Sequence, residues 1–77
     1  MESRIKLQPG ESLKLEKSSS EGTMGQTEIN CYSVIDAGGL IVGSVEHQDH
    51  MSLKGFTRTQ RVTQRNKNGS ILVNDTW

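Results

Sequence analysis

The side chains best suited to chemistry fall in one short run, Glu46-His47-Gln48-Asp49-His50, where two imidazoles and two carboxylates stand close together. Such donors suit zinc or another divalent ion if a loop converges them. The spacing is poor for that task. His47 and His50 are three apart, no helical period surrounds them, and the single thiol, Cys31, has no second cysteine to complete a ligand set. His47, Asp49 and His50 are therefore an outside candidate for a metal, and the expected reading is a polar loop with solvated or hydrogen-bonded histidines. Cys31 with either histidine would supply a thiol and a base, but no orienting third residue is legible. The serine- and glycine-rich stretch is not followed by a helix, so it offers no phosphate cradle. No catalytic residue, cofactor or enzymatic role is expected.

A second group is basic. Thr57, Thr59, Arg61, Thr63, Arg65 and Lys67 alternate along one stretch, with Lys54 and Arg58 nearby. On a strand, alternate residues project on one side about 7 Å apart, a spacing that can follow a phosphate backbone. Nucleic-acid contact through Lys54, Arg58, Arg61, Arg65 and Lys67 is the alternative function. Against it, threonine and arginine also populate ordinary solvated strands, and no companion aromatics are present for base stacking. The net charge is zero, with eight acids against four bases in residues 1–50 and five bases against one acid in 51–77. The acidic remainder opposes non-specific binding to polyanions.

These residues need strands to position them, and the sequence supplies three hairpin patterns. The clearest is 55–77. If Asn68-Gly69 is a two-residue type I′ turn, Lys67 opposes Ser70, Asn66 opposes Ile71, Gln64 opposes Val73, Val62 opposes Asp75 and Gln60 opposes Trp77. Phe56, Val62, Ile71, Val73 and Trp77 then share a core face, and Leu72, Asn74 and Thr76 join the basic residues. A bulge at Gly55 would bring Met51, Leu53 and Phe56 to one side. The second hairpin, 27–47, is joined through Ala37-Gly38-Gly39, with the register open between a two-residue Gly38-Gly39 loop and a four-residue Asp36–Gly39 loop. Its runs Tyr32–Ile35 and Leu40–Val42 are apolar on both parities, as in strands covered on both faces or at a subunit contact. Tyr32 is the interface candidate there. The two turns, Asp36-Ala37-Gly38-Gly39 and Asn66-Lys67-Asn68-Gly69, follow one grammar.

The first pattern, 4–16, reads as a hairpin or corner about a type II turn at Pro9-Gly10, with Ile5, Leu7, Leu13 and Leu15 on one face. Residues 17–26 show no periodicity and read as a flexible connector. The fold expected is all-β: a small antiparallel sheet of five to six strands in a single domain, 1–77, curled into a small sandwich or half-barrel. Hydrophobic residues are 31% of the 77, with one each of Phe, Tyr and Trp. A chain of this size buries only about 60% of its unfolded surface, so a partner is the natural supplement to its core. With one cysteine there is no intramolecular disulfide, and a homo-oligomer, most simply a dimer, is expected.

No apolar run approaches the ~20 residues of a membrane span. The N-terminus lacks a signal-peptide core, and the expected location is the cytoplasm. The function expected is non-enzymatic binding to another protein, of adaptor or small-inhibitor type, with Tyr32, Arg61, Arg65 and Lys67 as contact residues.

Overall fold

Glycines with positive φ set the turns at one end of the molecule. The computed structural model describes residues 2–22, 25–52 and 57–77. Gly10, Gly39 and Gly69 have φ of 84°, 84° and 86°, a region that is costly for residues carrying a Cβ. After each of them a strand begins. Five strands result, β1 (Ser12–Glu21), β2 (Gly25–Ile35), β3 (Ile41–Ser52), β4 (Arg58–Asn66) and β5 (Ile71–Thr76), preceded by a 3-10 turn at Glu2–Arg4. They form one antiparallel sheet in the order β1-β2-β3-β4-β5, not closed into a barrel. The expected all-β sheet is thus present as five strands. Among the described residues a second sheet, and hence a sandwich within the chain, is not.

The turns at Asp36–Leu40 and Asn66–Ser70 are built alike. The Gly39 N–H donates to Asp36 O at 3.0 Å, and Gly69 N–H to Asn66 O at 3.0 Å. Asp36 Oδ1 accepts from the N–H groups of Gly38 and Leu40, both at 2.9 Å. Asn66 Oδ1 accepts from Asn68 at 2.9 Å and Ser70 at 3.0 Å. Each is a three-residue loop held by an Asx side chain, and each is followed by a bulge. Ile35 pairs with Ile41 but Val34 with Gly43; Arg65 pairs with Ile71 but Gln64 with Val73. Val42 and Leu72 are the extra residues.

This corrects the two-residue turn expected at Asn68-Gly69. The Asn66 side chain lengthens the loop by one residue, and the bulge at Leu72 restores the register beyond it. Gln64–Val73, Val62–Asp75 and the Gln60–Trp77 backbone pair are as expected. Ile71 and Leu72 exchange roles. Ile71 sits beside Arg65 and is 53% exposed, whereas Leu72 borders a recess with Val34, Val42 and Gln64.

Paired residues share a face, so the register defines an inner and an outer side. On the inner side Val34, Val45 and Val62 are buried, with Ile5, Leu13, Tyr32, Val42, Val73 and Trp77 packed around them. The segment 2–11 lies across this face as an arm, which replaces the hairpin expected over 4–16. Pro9-Gly10 does form the turn, with Glu11 N–H donating to Gln8 O at 3.0 Å. Residues 5–8 do not become a strand because side chains hold their backbone: Gln64 hydrogen-bonds both the N–H and the C=O of Lys6 at 2.7 Å, and Glu11 Oε1 accepts from Gln8 N–H at 2.7 Å. Arg4 pairs with Asp75 at 2.5 Å and lies 4.0 Å over the Trp77 ring.

The stretch expected as a connector, 17–26, is largely strand. Lys17–Glu21 pair with Thr27–Cys31, which satisfies backbone groups on the long β2 that a loop would leave open. Thr23 and Met24 of that stretch lie outside the described residues. Leu53, Lys54, Gly55 and Phe56, and the bulge expected at Gly55, lie outside the described residues. Among the described residues, no helix is long and apolar enough to cross a membrane.

Candidate functional site

Alternation along β4 sends odd-numbered residues outward and even-numbered ones toward the arm. Arg61, Thr63 and Arg65 therefore stand together on the outer face, opposite Gln48, Glu46 and Ser44 of β3 on one side and Thr76, Asn74 and Ile71 of β5 on the other. The Arg61 Nε–H donates to Asn74 Oδ1 at 3.3 Å, Arg65 Nη1 to Gly69 O at 3.2 Å, and Gln48 Nε2 to Glu46 Oε1 at 3.1 Å. With Ile71 these side chains line a shallow open depression of about 160 Å³. Neither arginine has a salt bridge among the described residues. The guanidinium groups are held loosely by neutral acceptors and keep donors for a ligand.

The same alternation removes Arg58 from this group. It lies on the inner face, where its Nε donates to both carboxylate oxygens of Asp49 at 2.9 and 3.1 Å and its Nη2 adds a further contact. The hydrogen bond from Arg58 holds the Asp49 carboxyl below the usual aspartate range, against a smaller opposing effect of burial. Lys67 is exposed in the β4–β5 loop, and Lys54 lies outside the described residues. Tyr32 is half-buried on the inner face against the valine core, so it does not join Arg61 and Arg65.

The run Glu46–His50 is strand, not loop, and its would-be ligands diverge. His47 and Asp49 face inward, His50 outward. His47 Nε2 hydrogen-bonds Gln60 Oε1 at 3.0 Å and its ring stacks on Trp77 with centroids 6.1 Å apart. His50 Nδ1 meets Thr27 Oγ1 at 2.7 Å. Among the described residues no three His, Cys, Asp or Glu side chains come close enough to hold a metal ion.

Glu46, Gln48 and Ile71 belong to the depression but not to the face expected from sequence, which already held Asn74. Glu46 and Gln48 were hidden because they entered only through cross-strand register. Ile71 was hidden by the bulge.

No known protein family, characterised protein or solved structure matches the chain significantly.

Proposed function

We propose that this is a non-enzymatic binding protein that contacts another protein through the outer face of β3–β5, in the manner of an adaptor or small inhibitor. The observation that carries the reading is the mixed character of the depression: two arginines that make no salt bridge among the described residues, a carboxylate at Glu46, amides at Gln48 and Asn74, and an exposed isoleucine at Ile71. Polar groups of both signs around an apolar residue match a protein surface with acidic and apolar features.

A phosphate track would favour an unbroken basic stripe. Here Arg58 is on the opposite face and engaged by Asp49, and Glu46 stands across from Thr63 between the two arginines. Nucleic-acid binding through Arg61, Arg65 and Lys67 is the second reading, favoured by the two arginines on one strand face. A homo-oligomer belongs to the first reading, as does a cytoplasmic location.

The test is affinity capture from nuclease-treated extract of the source cells with the wild-type chain and with Arg61→Ala/Arg65→Ala. The expected result is a protein partner retained after nuclease treatment and lost with the double variant. Capture indifferent to the double variant overturns the reading. A salt-sensitive affinity for oligonucleotides that vanishes in the same variant would favour the second one.

A further inference from the structure

The apolar residues of β2 do not all face the arm. Ile29, Cys31 and Ile35 point to the outer face, where they are half-buried although no described element crosses over them. Strand register places polar and charged neighbours on either side of this stripe. Cys31 lies between Lys17 on β1 and Glu46 on β3, Thr27 between Glu21 and His50, and Ile29 between Ser19 and Gln48. Lys17 and Glu46 have no salt bridge among the described residues. They stand two strands apart, roughly 9.6 Å, with Cys31 between them, and are not paired with each other.

We propose that the outer face of β1–β3 is a self-complementary surface on which a second copy of the chain stacks its own outer face, with the twofold axis running along β2. The inference rests on the reading of the outer face as a protein-contact surface, and it names the occupant of the half that Arg61 and Arg65 do not use. An axis along β2 lays that strand over its equivalent and exchanges β1 with β3. Lys17 then meets Glu46 of the partner subunit, and Glu21 meets His50 of the partner subunit, each contact occurring twice. The apolar stripe, with Cys31 at its centre, packs on its own copy. An axis across the strands would instead set Lys17 over its own equivalent and Glu46 over its own, so charge selects the first arrangement. Two sheets aligned in this way pack about 10 Å apart and form the sandwich that one chain lacks.

Three strands about 14 Å wide and about 33 Å long cover on the order of 1,000 Å² over both copies, at the lower end for specific association. The dimer is therefore weak and concentration-dependent. Strands β4 and β5 overhang on opposite flanks, which leaves the Arg61, Thr63, Arg65, Ile71 and Asn74 part of each depression open, while Glu46 and Gln48 at its β3 edge join the contact between copies.

Sedimentation equilibrium of the full chain over a concentration series tests the arrangement. The wild type is expected to form a reversible dimer, Lys17→Glu and Glu46→Lys each to weaken it about tenfold or more, and the combined K17E/E46K chain to recover wild-type association. A short bismaleimide is expected to couple two copies through Cys31 in the wild type and the double variant only. A wild type that stays monomeric at millimolar concentration, single variants that associate unchanged, or a double variant that does not recover would each overturn the proposal. Arg61→Ala/Arg65→Ala is expected to dimerise normally. A dimer that persists while partner capture fails leaves this inference standing without the proposed function, and a monomer that still captures its partner does the reverse.

Discussion

The side-chain amide of Gln64 treats the backbone of Lys6 as a neighbouring strand would, its Oε1 accepting from Lys6 N–H and its Nε2 donating to Lys6 O, both at 2.7 Å. Gln64 is 2% exposed, so this pair of bonds is what makes a buried glutamine tolerable beside a core of three valines. Replacing it with leucine keeps the volume and strands both Lys6 groups. Gln64→Leu is expected to cost about 2–3 kcal/mol, read as a lowered urea midpoint, with faster amide exchange at Lys6 as the local signature.

Glycines 43 and 69 are needed for different reasons, and alanine separates them. A Cβ at Gly43 would lie 2.6 Å from the Arg65 carbonyl oxygen, whereas at Gly69 nothing lies within 4 Å and only the φ of 86° resists a side chain. Gly69→Ala is expected to cost about 1 kcal/mol. Gly43→Ala must push β3 from β4, and about 2 kcal/mol or more is expected. Urea denaturation of the two variants side by side checks the order.

The Asp49–Arg58 pair fixes one pH dependence. Its hydrogen bonds lower the folded-state pKa of Asp49 below that of the unfolded chain. Stability from this pair is therefore complete above that unfolded value and is lost as pH falls through the folded one. An NMR titration of the Asp49 carboxyl is expected to show a midpoint below the ordinary aspartate range in the wild type, returning toward it in Arg58→Ala.

Arg4 fastens the arm to the end of β5 through Asp75 and the face of Trp77. Arg4→Ala removes a cation–π contact and a partly exposed ion pair, together worth about 1 kcal/mol. Since Trp77 is the only tryptophan, a red shift of its emission at a temperature where the fold persists reports the loosened arm directly.

What was legible in the sequence was what depends on alternation and on glycine. The two hairpins, the pairing of Gln60, Val62 and Gln64, and the exposed company of Arg61, Thr63 and Arg65 all follow from a period of two. The separation of Arg58 from Arg61, and of His50 from His47 and Asp49, was not read, because Arg58 was grouped with its basic neighbours and 46–50 was taken for a loop without strand parity. What escaped depends on side chains that act on distant backbone. The side-chain oxygens of Asp36 and Asn66 close both turns as three-residue loops, and the bulges at Val42 and Leu72 follow, the second of which moved Ile71 onto the site. Gln64 and Glu11 turned an apparent hairpin into an arm. The serines of 17–21 lack a hydrophobic period, yet they join the sheet because β2 is long enough to need a partner along its whole edge.

The outer sheet face as a protein-contact surface is tested most directly by photocrosslinking in the source cells. A photoreactive residue would replace Thr63, on the floor of the depression, or Ser18, exposed on the opposite face. The expected result is a crosslink to another polypeptide from position 63 and none from position 18. Crosslinks only from position 18, or crosslinks from position 63 to nucleic acid alone, would contradict it.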